Sequence, residues 1–172
     1  MVIKNINKNN PVIAWWSGGV TSAVTCYLCI QWFGLENVRV VFIDTKNEDP
    51  STYVFKKQCE NWYGCKIETI SSTNYETIQE VWYRFNSLNV ASGAICSATL
   101  KIKVRQKFEN HNNYSYQAFG FDADEIKRAK AMASNNSKSN PIFPLLMAML
   151  LKKDCIGIIK SANSLFNNYI YP

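Results

Sequence analysis

A cluster of glycines and hydroxyl side chains near the start of the chain has the clearest chemical potential. It follows Val12–Trp16, a run with the length and composition of a buried strand, and an apolar-periodic segment comes directly after it. A glycine-rich turn between a strand and a helix leaves backbone N–H groups without intrahelical partners, next to the positive end of the helix dipole. The cluster therefore predicts a site for a phosphate-like anion. Its members are Ser17, Gly18, Gly19, Thr21 and Ser22.

The spacing of this cluster fits neither the Walker pattern nor G-x-G-x-x-G. Ser-Gly-Gly-Val-Thr-Ser instead resembles the SGGxDS loop of the PP-loop nucleotide α-hydrolase superfamily, and the run from Trp16 to Val24 is most similar to the phosphoadenosine phosphosulfate (PAPS) reductase branch. The resemblance implies that the loop binds the phosphates of an adenine nucleotide, either ATP or a PAPS-like sulfonucleotide.

A second polar pair follows the next apolar run. Asp44 and Thr45 come at the end of the β-branched stretch 38–43, which is typical of a doubly covered parallel strand. Residues at the carboxyl end of such a strand face the ligand crevice. The pair resembles the Asp-Thr-Gly of the same branch, with Lys46 in place of the glycine, and this implies a position near the nucleoside. A plain loop or capping role for Asp44 is the alternative.

The segment 93–101 contains Cys96 and Lys101 in a Cys-x-x-x-Leu-Lys pattern, which resembles a basic phosphate contact of the branch. Apolar and polar residues alternate over 100–108 and favour a strand, whereas the resemblance implies a turn at Lys101 and a helix from about Lys103. We expect the helix. Relatives with an iron–sulfur cluster have Cys-Cys here and a later C-x-x-C. This chain has only Cys155 afterwards, so no cluster is expected.

A third segment, Gly120 to Arg128, is predicted to leave a strand and enter a helix. Asp122 and Glu125 have the spacing of a capping box. Gly-x-x-x-x-Glu-x-x-Arg resembles the exit of the fourth strand in the family, which implies that Glu125 and Arg128 line the site. Gly120 leaves the backbone accessible at the strand end and is a further nucleotide-binding candidate. Arg128 could direct its planar guanidinium at a phosphate or sulfate. A surface ion pair between Glu125 and Arg128 is the alternative.

Two departures from the family limit what the resemblance implies about activity. Thr21 stands where ATP-splitting PP-loop enzymes have an Asp, which PAPS reductases also lack. The Glu-Cys-Gly-x-His tail of those reductases is missing from this sequence. Sulfonucleotide reduction, ATP pyrophosphatase chemistry on a nucleobase, tRNA or small acceptor, and nucleotide binding without catalysis all stay open. Lys101, Arg128 and Cys96 are the catalytic candidates, and Mg²⁺ remains an open cofactor.

The candidate residues follow different predicted strands, so a shared site requires a fold that brings the carboxyl ends of these strands to one edge of a sheet. Apolar runs and amphipathic stretches alternate as βαβα, which predicts an α/β fold, a doubly wound parallel sheet with helices on both faces. This agrees with the Rossmann-type, adenine nucleotide α-hydrolase-like fold that the resemblance implies. The polar segment 134–140 is predicted to be a mobile loop. Strands are predicted at 12–16, 38–43, 66–70 and 114–119, and helices at 21–33, 51–63, 75–85 and 152–162.

Composition limits the class of protein and its partners. With 172 residues, 47% apolar and 19% charged, the chain is expected to form one globular domain, with residues 1–10 as a flexible arm. No segment reaches the roughly 20 apolar residues of a membrane span, so we expect a cytoplasmic protein whose six cysteines are reduced. The net charge of +6 favours an anionic partner. A tRNA, a thioredoxin-like reductant and a homodimer also stay open.

Overall fold

A computed structural model describes residues 5–90 and 93–162. Five parallel strands form one sheet in the order β3-β2-β1-β6-β7, and two short strands, β4 and β5, pair antiparallel outside it. The chain runs outward from β1 to β3 and then crosses to the other side of β1, so the strand order reverses between β1 and β6. The predicted doubly wound α/β fold is confirmed. The strands are β1 (Val12–Trp16), β2 (Val38–Asp44), β3 (Glu68–Ser71), β4 (Asn89–Val90), β5 (Gly93–Ala94), β6 (Tyr116–Ala118) and β7 (Pro141–Ile142).

Helices cover both faces of the sheet. The chain has α1 (Val20–Phe33), α2 (Pro50–Tyr63), α3 (Ile78–Phe85), α4 (Ile95–Ser97), α5 (Lys103–His111), α6 (Ile126–Asn135), α7 (Pro144–Met147) and α8 (Lys152–Ser161). A π-helical segment, Ala98–Ile102, joins α4 to α5.

The central strand β1 explains why its sequence is an uninterrupted apolar run. Ala14 and Trp16 belong to the core cluster that also contains residues of α1, α2 and α8, and Trp16 packs edge-to-face on Phe42, with ring centroids 5.2 Å apart. Trp15 points to the other face, where it meets Phe108 of α5 at 5.5 Å. Because both faces of the strand are buried, neither set of alternating positions can be polar.

Two predictions on local structure are wrong. The helix near Lys103 exists, but helical structure already begins at Ile95, so Lys101 lies in the π-helical segment and not in a preceding turn. The segment 134–140 is not an open loop. It holds the end of α6 and a 3₁₀ turn, Ser137–Ser139, whose last residue is buried.

Residues 5–10 of the predicted arm form a turn closed by a β-bridge between Asn7 and Asn10, and residues 1–4 lie outside the described part. All six cysteines are free thiols. Within the described ranges, none of the helices combines the length and apolarity that crossing a membrane requires.

Candidate functional site

The loop between β1 and α1 contains two glycines and leads directly into a long helix. Gly18 has φ +86°, a left-handed conformation that side chains disfavour. Gly19 is the N-cap of α1 and has an extended backbone, and no side chain caps the helix there. The N-terminal amides of a 14-residue helix therefore face the mouth of the loop. Ser17 and Gly19 are exposed at this mouth, and Thr21 is half-buried.

Ser22 has a role that its sequence position did not indicate. Its Oγ accepts a hydrogen bond from the Ser17 amide at 3.0 Å and donates one to the Gly19 carbonyl at 2.7 Å. The side chain is buried, and its two hydrogen bonds link the start of the loop to the N-cap of α1. Its hydroxyl is thus engaged within the loop, so the donors at the mouth are backbone amides together with Ser17 and Thr21.

Gly120 lies directly against this loop. A Cβ built on it would come within 2.8 Å of the Ser22 nitrogen and 2.9 Å of the Ser22 Cα, both backbone atoms. Only glycine lets the exit of β6 approach the first turn of α1 this closely. Gly120 was predicted to leave the backbone accessible in the site, and the structure shows that it also packs closely against the loop.

An apolar cleft of about 350 Å³ opens beside Ser17 at the carboxyl edge of the sheet. Aromatic and aliphatic side chains from the ends of β1, β2 and β6 line it, and helical residues close the other side. The lining residues are Trp15, Trp16, Ser17, Phe42, Ile43, Lys101, Ile102, Arg105, Phe119, Phe121, Met132 and Asn136. Small-molecule sites are commonly of this kind, mostly apolar with a few polar groups that orient the ligand. Of these residues, only Ser17 and Lys101 were predicted from the sequence to belong to the site.

Lys101 enters the cleft already paired with an acid. Its Nζ lies 3.6 Å from Glu48 Oε1, and the same oxygen accepts the Thr45 hydroxyl at 2.8 Å. The Lys101 side chain is half exposed, so this pair is partly screened by solvent. Glu48 was not predicted, although it belongs to the acidic segment that precedes α2. Thr45 does not line the cleft. It is connected to Lys101 indirectly, because both contact the same oxygen of Glu48.

Asp44 organises the turn after β2. Its Oδ1 accepts hydrogen bonds from the Lys46 amide at 2.7 Å and from the Tyr53 hydroxyl at 2.9 Å. Burial and the Asp44 hydrogen bond raise the pKa of Tyr53 to about 12. Lys46 has φ +60°, the left-handed conformation that the glycine of the family would adopt easily. The alternative loop role of Asp44 accounts for its contacts.

Arg105 forms a wall of the cleft that sequence reasoning missed. Its Nη2 donates to Asn136 Oδ1 at 2.7 Å, its Nε lies 3.3 Å from Glu109 Oε1, and its guanidinium stacks over Phe119 at 5.3 Å. Asn136 comes from the segment predicted to be a loop. The alternating pattern around Arg105 gave no sign of the contacts with Phe119 and Asn136, because these partners lie 14 and 31 positions further along the chain.

Glu125 and Arg128 form the ion pair that was the alternative to a site role. The capping box is confirmed, since Asp122 accepts from the Asp124 amide at 3.0 Å and its own amide donates to Glu125 at 3.3 Å. Arg128 is largely exposed, and its guanidinium lies over Phe121, which lines the cleft, at 5.3 Å. Arg128 is therefore at the rim of the cleft, one side chain away from its interior.

The cysteines differ in accessibility. Cys96 is half-buried in α4 and does not line the cleft. Burial, together with the nearby Asp122 and Asp154, raises the pKa of Cys155 to about 11, as expected for a thiol in an apolar helix. Burial also raises the pKa of Cys26 and of Cys29, which fits packing thiols and not a reactive pair. In the described ranges, no three His, Cys, Asp or Glu side chains converge as a metal site would require.

Residues 11–147 match the phosphoadenosine phosphosulfate reductase domain family. Among curated protein sequences, none matches the chain at a significant level.

Solved structures resemble the fold at low identity. A PAPS reductase from Candida auris, in a phosphate complex, has a TM-score of 0.61 at 16% identity, over 88% of this chain and 72% of that one. The U34-tRNA thiolase NcsA from Methanococcus maripaludis, with its [4Fe-4S] cluster, has a TM-score of 0.59 at 20% identity, over 98% and 60%. The NH3-dependent NAD synthetase from Campylobacter jejuni subsp. jejuni, in complex with nitrate, has a TM-score of 0.57 at 15% identity, over 89% and 64%. The chain thus spans only part of each of these proteins.

Proposed function

This chain belongs to the phosphoadenosine phosphosulfate reductase domain family of PP-loop proteins, and from that premise we propose that it binds an adenine nucleotide. The phosphates lie against the loop at residues 17–22, and the nucleoside occupies the apolar cleft next to it. The observation that carries the proposal is the junction of the two, because the N-terminus of α1 opens where Ser17 lines the cleft. A polyphosphate and a flat aromatic base need these two environments side by side.

Two of the similar structures contain an oxyanion, which is compatible with the proposal. The Candida auris reductase is described as a phosphate complex, and the Campylobacter synthetase as a complex with nitrate. Both ions have the charge and oxygen geometry that helix amides favour.

If the protein is catalytic, its reaction acts at a phosphate or sulfate of the nucleotide. Lys101 enters the cleft and can stabilise negative charge that develops on an oxygen, which is the kind of contribution preorganised cations make to catalysis. Arg128 adds a second positive charge at the rim of the cleft. Cys96 is the candidate for reductive chemistry with a thioredoxin-like partner.

The acids near the loop already have hydrogen-bond or ion-pair partners. Asp44 Oδ1 is engaged by Lys46 and Tyr53, and Glu48 is paired with Lys101 and Thr45. Oxygen ligands for Mg²⁺ must be available together in octahedral geometry. No step of the proposal therefore uses the metal. We also propose a cytoplasmic location, because free thiols persist in a reducing compartment.

Calorimetric titration with ATP, ADP, AMP and PAPS tests the binding proposal, with mass spectrometry of any nucleotide that copurifies. Product analysis then separates the three activities. AMP and pyrophosphate indicate pyrophosphatase chemistry, sulfite in the presence of thioredoxin indicates reduction, and unchanged nucleotide indicates a binder. Absence of binding to all four nucleotides would refute the proposal.

Lys101→Met is expected to weaken nucleotide binding by about fivefold to tenfold, since it removes one half-exposed charge-assisted contact. Glu48→Gln is expected to strengthen nucleotide binding by about twofold to fivefold, because it releases Lys101 from its ion pair. Titration calorimetry with ATP measures both. Lys130→Met, at an exposed position of α6 outside the cleft, is the matched control. Equal affinities of the Lys101 and Lys130 variants would exclude Lys101 from the site.

A further inference from the structure

A second pocket, of about 210 Å³, lies beside the helical segment 95–111. Its floor is the loop that follows β3, and one stripe of the helical segment forms its wall. The same segment contributes Lys101, Ile102 and Arg105 to the apolar cleft, so it lines two separate pockets. The lining of the second pocket consists of Ser71, Ser72, Thr73, Asn74, Tyr75, Thr99, Lys103, Val104 and Lys107.

Thr99 in this lining has an unmet hydrogen-bond requirement. The residue is 4% exposed, and its Oγ1 is buried without a hydrogen-bond partner. A buried hydroxyl left unpaired costs about 1–3 kcal/mol, so native proteins rarely retain one without a use. Thr99 also lies in the π-helical segment, a distortion that is frequent at functional sites. These observations point to a ligand that accepts a hydrogen bond.

The charge of the pocket defines that ligand as an anion. Lys103 and Lys107 line it at intervals of four from Thr99, so all three project from one side of the helical segment. No carboxylate is among the lining residues. Lys107 Nζ donates to the Thr73 hydroxyl at 3.3 Å, and Ser72 Oγ accepts the amides of Asn74 and Tyr75 at 3.2 Å each. These bonds hold the loop in a turn against the helix.

We propose that this pocket is a second oxyanion site, which takes a phosphate group independently of the loop at 17–22. The Thr99 hydroxyl donates to one oxygen, and the ammonium groups of Lys103 and Lys107 neutralise the charge. Inorganic phosphate and a backbone phosphate of RNA present the same chemistry.

Thermal unfolding in increasing inorganic phosphate tests the site, with ATP present at a saturating concentration throughout so that the loop at 17–22 is already occupied. At a phosphate concentration of about ten times the dissociation constant, the midpoint temperature of thermal unfolding of the wild type is expected to rise by roughly 3–5 °C. Lys103→Gln/Lys107→Gln should lose most of this rise and keep its calorimetric affinity for ATP. Lys101→Met should keep the rise, and Lys130→Gln is the control for general charge. If the rise survives in the double variant, or is lost in the Lys101 or Lys130 variant, the phosphate binds elsewhere and the proposal is wrong.

Thr99→Val separates a ligand contact from a structural role. Because valine has the same shape and no hydroxyl, the midpoint without phosphate should stay level or rise, while the phosphate-dependent rise falls by half or more. A variant that is several degrees less stable without phosphate would contradict the proposal, since the hydroxyl would then serve the fold itself.

Fluorescence anisotropy with a labelled RNA hairpin distinguishes the two sources of phosphate. RNA binding that is displaced by inorganic phosphate, and weakened in the double lysine variant, identifies a nucleic acid backbone as the ligand. A phosphate-dependent midpoint without such RNA binding identifies a small oxyanion. The absence of both responses would overturn the site.

Discussion

Gly120→Ala is expected to weaken adenine nucleotide binding by about a hundredfold. The added methyl group would meet the backbone of Ser22 at 2.8 Å, and backbone in the first turn of a helix cannot rotate away as a side chain can. The loop at 17–22 must therefore shift, which misaligns amides that each contribute about 1.5–3 kcal/mol to a charged partner. Loss of about 3 kcal/mol corresponds to the hundredfold change. Titration calorimetry with the tightest-binding nucleotide measures it.

Gly157→Ala is the matched control for this substitution. A Cβ at Gly157 would have no heavy atom within 4 Å, and the residue lies within α8, where alanine is favoured over glycine by about 1 kcal/mol. That variant should bind nucleotide normally and unfold at slightly higher urea. Gly120→Ala itself should lose about 1–3 kcal/mol of stability from overpacking and should still be folded by circular dichroism. A folded Gly120→Ala variant with wild-type affinity would show that the loop at 17–22 does not hold the phosphates.

The parts of the site that sequence could predict are local ones. The run Val12–Trp16, the Ser-Gly-Gly turn and the helix that follows lie within about twenty residues, so composition and period define them together. The capping box at Asp122 also depends on neighbours a few positions away. Each of these was found where the pattern placed it.

The parts that sequence could not predict depend on distant partners. Gly120 is needed because it packs against Ser22, about a hundred positions earlier in the chain. Lys101 is paired with Glu48, about fifty positions earlier. Which strand ends meet is decided by sheet order, which a single sequence does not display. The alternation over 100–108 suggested a strand because a helix that lines two pockets has polar and apolar residues on several sides.

Glu60 has the other large expected effect, on stability and not on binding. It lies near the end of α2, is 8% exposed, and accepts hydrogen bonds from Lys56 Nζ at 2.9 Å and from the Ile67 amide at 3.1 Å. Burial by itself would raise its pKa, but these bonds and the charge of Lys56 outweigh burial and lower the pKa from 4.5 to about 2. The carboxylate thus fixes the connection from α2 to β3 in its ionised form.

Glu60→Gln is therefore expected to lower the free energy of unfolding by about 2 kcal/mol at pH 7. This figure allows for solvent screening of the two exposed lysine partners, Lys57 and Lys66. Because the pKa is lower in the folded state, the stabilisation is complete above pH 4.5 and is lost as pH falls towards 2. The difference between wild type and variant should follow this course in urea titrations at pH 7, 5, 4 and 3. Glu36→Gln, at an exposed position, should show little difference at any pH. A gap that stayed constant from pH 7 to pH 3 would assign the effect to packing and not to the charge of Glu60.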